Sequence, residues 1–158
     1  PVDTLSHMED RVLKPEFAPK PVYTLRVVLG PQDDAFTDAG IDTFLSGTYT
    51  VTPEFDRMGC RLDGPVIAHK DGGDIISDGI AFGAIQVPSA CTHIFFFFDR
   101  ETTVFYTKIA TVITADFRTL AQLKAGDKVQ FVKVPVEYAQ GLLLAQRSAL
   151  KALSRINA

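Results

Sequence analysis

Residues 75–88, Ile-Ile-Ser-Asp-Gly-Ile-Ala-Phe-Gly-Ala-Ile-Gln-Val-Pro, decide the fold class. One β-rich run, 74–77, stops at Asp78-Gly79, and a second, 84–87, stops at Pro88. Both are too short for helices, and both are bounded by the residue types that make turns. The same punctuation repeats outward. Residues 23–29 form a β-rich run closed by Gly30-Pro31, and further short runs occupy 47–51, 60–62, 94–98, 108–113 and 128–134. Seven or eight short strands separated by Gly, Pro and Asp predict a barrel or sandwich rather than alternating βαβ units. Residues 34–45 read as a short helix capped by Thr37 or Asp38. Residues 116–123 read as a second, with Asp116 as its N-cap. In 128–134, Lys128, Gln130 and Lys133 mark solvent contact, so a peripheral strand is expected there.

The flanks differ in character. The first 22 residues carry Pro1, Pro15, Pro19 and Pro21 without periodicity, and are expected to be an extended arm or linker leading from an upstream segment. Residues 23–135 are expected to be the barrel domain, and 136–158 a C-terminal amphipathic helix. In that helix Ala139, Leu142, Leu143, Ala149, Leu150, Leu153 and Ile156 form one apolar stripe, and Arg147, Lys151 and Arg155 share another face. Those three cations read as a solvated helix face.

Bulk properties remove several function classes. The chain has 158 residues, enough for one domain with a core of its own. A net charge of −3 gives no nucleic-acid or anionic-membrane footprint. The longest apolar run, 94–98, is far short of a membrane span. Cys60 and Cys91 lack metal-site spacing, and no secretory-type segment opens the chain. Both are expected to be free thiols in a cytoplasmic protein. There is no GxxxxGKS/T, no GxGxxG after a strand and no GxSxG elbow; Ser77 in Ile76-Ser77-Asp78-Gly79 reads as part of a turn. His7, His69 and His93 have no metal-ligand spacing, and His69 reads as a surface or hydrogen-bonded structural residue. Residues 71–74 (Asp-Gly-Gly-Asp) lack the pattern of a calcium loop. No catalytic residue, metal site or cofactor motif can be named from these features.

Four segments carry more. They are Gly-Pro-Gln-Asp-Asp at 30–34, Asp-Arg-Met-Gly-Cys-Arg-Leu at 56–62, the stretch 75–88, and Asp-Arg-Glu-Thr-Thr-Val-Phe-Tyr-Thr-Lys-Ile-Ala-Thr-Val at 99–112. In this order and spacing the chain resembles, over about residues 25–134, the C-terminal half of the biotin-dependent carboxyltransferase family. That family includes allophanate hydrolase subunit 2, KipA and the 5-oxoprolinase subunit PxpC. The resemblance implies a mostly β, cyclophilin-like closed barrel with a few short helices and a C-terminal helix. It implies a subunit of a carboxyltransferase-like, ATP-dependent 5-oxoprolinase or allophanate hydrolase-type complex acting on urea-like or lactam amides. ATP or carboxybiotin would enter through partner subunits. The partners implied are a homologous KipI- or PxpB-like subunit and an N-terminal half of the same subunit, in a hetero- or homo-oligomer. The alternative is a non-catalytic KipA-type regulator that binds a KipI-like kinase inhibitor.

Within these segments six residues are candidates for substrate binding. Arg57 offers a planar cationic fork suited to a carboxylate or phosphate, or else is locked to a neighbouring Asp. Gln86 is expected to point away from the face of Ile85 and Val87, and either orients a urea-like group or is a paired structural amide. Thr102 and Thr103 place hydroxyls and backbone N–H groups just after a strand, where they could hold an oxyanion. Tyr106 and Lys108, two apart on an extended segment, are expected to face one side. Lys108 either neutralises a carboxylate or phosphoryl group or is a plain surface lysine. The family pattern DxQTTGGY is replaced at 99–106 by Glu101 and by Val104-Phe105. Val104-Phe105 is expected to keep the chain extended where Gly-Gly would permit positive φ.

Overall fold

Alternation builds the barrel wall. In β1 (Tyr23–Leu29), Tyr23, Leu25 and Val27 are buried while Thr24 is exposed and Arg26 half-exposed. The structure, a computed structural model, describes residues 19–55, 59–89, 94–97 and 104–156. After β1 come a 3₁₀ turn (Asp33–Ala35), α1 (Asp38–Ser46), β2 (Tyr49–Phe55), β3 (Gly59–Asp63), β4 (Asp74–Asp78), β5 (Ala84–Gln86) and β6 (Ile94–Phe97). Next are β7 (Val104–Tyr106), β8 (Lys108–Val112), a second 3₁₀ turn (Thr114–Asp116), α2 (Phe117–Leu120), β9 (Lys128–Lys133) and α3 (Val136–Ile156). Among the described residues seven strands close into a barrel in the order β1-β8-β5-β6-β3-β2-β9, and β4 pairs with β7 in a separate ribbon. The mostly β barrel with a C-terminal helix is the architecture expected from the sequence.

Closure is made by β9, which pairs parallel to β1 from Tyr23↔Val129 to Val27↔Lys133 and antiparallel to β2. The expectation of a peripheral strand is therefore corrected. Val129 and Phe131 are buried, and the polar residues that suggested an edge face the outside of the barrel instead. In the core, Phe44 of α1 stacks on Phe131 with ring centroids 4.6 Å apart, and Tyr49 meets Phe131 at 5.4 Å. Burial of the Tyr49 hydroxyl pushes its pKa up. The Cys60 thiol, also in this core, is free and is pushed up to about 12 by burial; Cys91 lies outside the described residues.

The first helix starts later than expected because residues 33–35 form only a 3₁₀ turn. Thr37 is its cap, accepting from Gly40 N at 2.9 Å. The Thr37 backbone N–H also reaches Ala68 O at 3.1 Å, tying α1 to the strand-like segment that carries His69. Gly40 is needed at this crossing, since a Cβ there would lie 2.3 Å from Ala68 O.

Asp116 departs further from expectation. It precedes α2 but makes no side-chain cap hydrogen bond. Its carboxylate instead accepts Arg26 N at 2.8 Å and Nε at 2.9 Å, and pairs with the Arg26 terminal nitrogen. The Asp116 partnership raises the Arg26 pKa. The helical segment expected over 116–123 is accordingly split into the 3₁₀ turn and the four residues of α2.

The stripe along α3 is only partly covered. Ala139, Leu142 and Leu143 are half-buried, whereas Leu150 is 62% exposed and Ala149 is exposed. Among the described residues no helix is long and apolar enough to cross a membrane.

Candidate functional site: a half-exposed carboxylate backed by a buried lysine

The site forms where the β4–β7 ribbon meets the barrel. The ribbon pairs Asp74 with Tyr106 and Asp78 with Val104. Thr107 then carries the chain from ribbon to barrel, its N–H donating to Gly73 O at 2.8 Å and its carbonyl accepting from Val87 N at 3.1 Å. Tyr106 and Lys108 thus belong to two different sheets. Tyr106 is 41% exposed and Lys108 is 2% exposed, so the expectation that both face one side is corrected. The period-two rule holds only within one continuous strand.

A buried ammonium needs a counter-charge. Lys108 Nζ donates to Asp78 Oδ2 at 2.7 Å and to Gly79 O at 3.2 Å. Asp78 is 50% exposed and supplies the outer half of the pair. Its other oxygen, Oδ1, accepts the Gly79 N–H at 2.8 Å. Gln32 Nε2 adds a third donor, 3.1 Å from Oδ2. These partners hold the Asp78 carboxyl below the usual carboxylate range, the Lys108 hydrogen bond first, then the Gly79 N–H, Gln32 and the Lys108 charge. At neutral pH the site therefore presents an oriented carboxylate.

Gln86 stands at the junction as well. It is 1% exposed and donates from Nε2 to Tyr106 O at 3.3 Å, joining β5 to the ribbon. Ala84, Ile85 and Gln86 are all buried, so both faces of β5 are covered and no outward face is left to it.

A second set of contacts braces the ribbon base. His69 Nε2 lies 3.0 Å from Val87 O and 3.1 Å from Thr107 Oγ1, and its ring packs on Phe36 at 4.5 Å. A carbonyl partner places the proton of the neutral ring on Nε2. Burial lowers the His69 pKa, against the opposing effects of Val87 and Asp74. Ser89 Oγ accepts from Gly73 N at 2.7 Å and donates to Asp74 Oδ1 at 3.1 Å.

Of the six candidates from the sequence, Gln86, Tyr106 and Lys108 are brought together here. Arg57, Thr102 and Thr103 lie outside the described residues, as does Glu101. Val104 and Phe105 run as extended strand β7. Asp78 is not among those candidates, because Asp-Gly is a routine turn signal; its side-chain ion pair with buried Lys108 is what distinguishes it. Among the described residues no group of three or more His, Cys, Asp or Glu stands where it could hold a metal ion.

Residues 3–133 match the family described as carboxyltransferase domain, subdomain A and B. The chain belongs to this carboxyltransferase family. It is 31% identical to the C subunit of 5-oxoprolinase from Haemophilus influenzae, a match covering 98% of this chain and 51% of that protein. It is 32% identical to the corresponding 5-oxoprolinase protein of Escherichia coli, covering 73% of this chain and 37% of that one. The crystal structure of the K. lactis urea amidolyase superposes with a TM-score of 0.80 at 23% identity, covering 88% of this chain and 9% of that one, which is a likeness of fold. The chain spans about half the length of the Haemophilus relative, 51%.

Proposed function

We propose that this chain is the C-terminal part of a subunit in a 5-oxoprolinase- or carboxyltransferase-type complex, and that Asp78 orients a lactam or urea-like amide. The observation carrying this reading is the half-exposed Asp78 carboxylate held by buried Lys108. An ionised carboxylate has about four acceptor positions, and Lys108, Gln32 and Gly79 fill three of those on Asp78. Among the described residues nothing fills the fourth, which leaves a position for an N–H donor such as a lactam or urea supplies. Lys108 acts from behind, keeping the carboxylate charged rather than meeting the substrate itself. Tyr106, opposite Asp74 on the same ribbon, contributes an exposed ring, and Gln86 holds the Tyr106 backbone. Arg57, Thr102 and Thr103 are assigned to the carboxylate and developing oxyanion of the substrate, as their chemistry suits. The named 5-oxoprolinase relatives favour the lactam over urea. ATP or carboxybiotin would come through a homologous PxpB- or KipI-like partner subunit in a cytoplasmic hetero-oligomer.

The test is reconstitution of the whole subunit with its partner, followed by assay of ATP-dependent 5-oxoproline opening and of urea carboxylation. Asp78→Asn should abolish turnover while leaving assembly intact. Absence of turnover with both substrates in a confirmed wild-type assembly would overturn the proposal.

A further inference from the structure

We infer that Gln32 is a positioning residue whose side-chain amide selects which Asp78 oxygen faces outward. This deepens the reading of Asp78 as the ligand-facing carboxylate and rests on it for its functional meaning. The Gln32 backbone is pinned first. Gly30 N donates to Ile109 O at 2.9 Å and Gln32 N to Lys108 O at 3.1 Å, which continues the β1–β8 ladder past Leu29↔Ala110. The side chain then has its two ends assigned by chemistry. Lys108 N donates to Gln32 Oε1 at 3.1 Å, and a backbone N–H can be answered only by the carbonyl end of the amide. The NH₂ end is thereby forced toward Asp78 Oδ2.

The consequence is asymmetric loading of the carboxylate. Oδ2 takes both Lys108 Nζ and Gln32 Nε2, whereas Oδ1 takes the Gly79 N–H. Lys108 alone does not choose between the oxygens, because an ammonium is a point charge that serves either one. The amide is directional, with a planar donor whose orientation the Lys108 N–H has already set. A role limited to bracing the β1–β8 junction would need Oε1 and the backbone bonds but not the contact from Nε2.

Among the described residues, the groups facing the Asp78 carboxylate are Lys108 from β8, Gln32 from the segment after β1, and Gly79 just past the end of its own strand. Two variants separate positioning from bracing. Gln32→Met removes both ends of the amide. Gln32→Glu keeps an acceptor for Lys108 N–H but sets a second carboxylate against Asp78. The readout is the ¹³C carboxyl titration of Asp78 in the ligand-free protein, with thermal unfolding as the folding control. The midpoint should move upward in Gln32→Met, where a donor to the ionised form is lost. It should also move upward in Gln32→Glu, where the donor is replaced by a carboxylate that titrates as a pair with Asp78. An unchanged Asp78 midpoint in folded Gln32→Glu would overturn the inference and leave Gln32 a brace. Should Gln32→Met not fold, Gln32→Glu decides alone, since it retains the bracing acceptor. No substrate enters this measurement, so its outcome is independent of the turnover assay for Asp78→Asn.

Discussion

Replacing Gly40 by alanine sets two effects of opposite sign against each other. In a helix interior the change gains about 0.5–1 kcal/mol from backbone entropy and propensity. At Gly40 the new Cβ would lie 2.3 Å from Ala68 O, 3.1 Å from Ala68 N and 3.2 Å from Ala68 C. These are backbone atoms of a pinned segment, not the tip of a mobile side chain. Restoring an ordinary contact requires α1 and residue 68 to separate by roughly 1 Å, at an overpacking cost of about 1–3 kcal/mol. The separation also stretches Thr37 N→Ala68 O, now 3.1 Å, and Lys70 N→Ala35 O, now 2.9 Å. Loss of either bond adds about 1 kcal/mol. The net expectation is destabilisation by about 2–3 kcal/mol. Gly141 of α3 is the control. It is exposed, and a methyl group there would have nothing within 4 Å, so Gly141→Ala should stabilise by about 0.5–1 kcal/mol. Urea unfolding followed by circular dichroism gives both values as midpoint shifts at constant slope. A Gly40→Ala protein as stable as wild type would refute the argument from close approach.

Asp116→Ala should cost about 2–3 kcal/mol in the same assay, below the range for a fully buried pair because Arg26 stays in contact with solvent; a change near zero would mean that Asp116 does not anchor the turn after β8. His69 gives a pH dependence. Its folded pKa lies below the unfolded value of about 6.5, so its neutral form contributes stability that is complete above that pH and declines as pH falls below it. His69→Gln should flatten the fall in urea midpoint between neutral and mildly acidic pH, and an unaltered slope would count against it. Cys60, in a Cys91→Ser background, should resist alkylation at pH 8 until the protein unfolds, because its thiol is pushed up to about 12. Rapid labelling of the native protein would contradict its burial.

Much of the barrel is legible because its strands announce themselves locally. β1, β3, β5 and β8 fall within a residue or two of the runs marked by Gly, Pro and Asp. The pairing order is not legible, since the outward polar residues of β9, Lys128 and Gln130, look the same on a closed barrel as on an edge. At 104–106 Val104-Phe105 announces extended backbone, but the pairing of β7 with β4 is not legible there. At the site, Gln86, Tyr106 and Lys108 stand out in the sequence, but their relative directions depend on the change of sheet at Thr107. Asp78 and Asp116 carry strong local meanings, as turn former and helix cap. Each is instead committed to a cation far along the chain: Lys108 is 30 residues on and Arg26 is 90 residues back. Local propensity cannot register such partners.

The parallel pairing of β1 with β9 also has a mechanical meaning. Tyr23, where β1 begins, lies beside Val129, while Val27 lies beside Lys133, where β9 ends. The polypeptide thus arrives at one end of the seam and departs into α3 from the other. Tension applied through the two flanking segments acts along the strands in opposite directions, so the ladder from 23 to 27 is loaded in shear. Its hydrogen bonds share that load and must fail together instead of unzipping one by one. The closing seam of the barrel is therefore its force-bearing clamp.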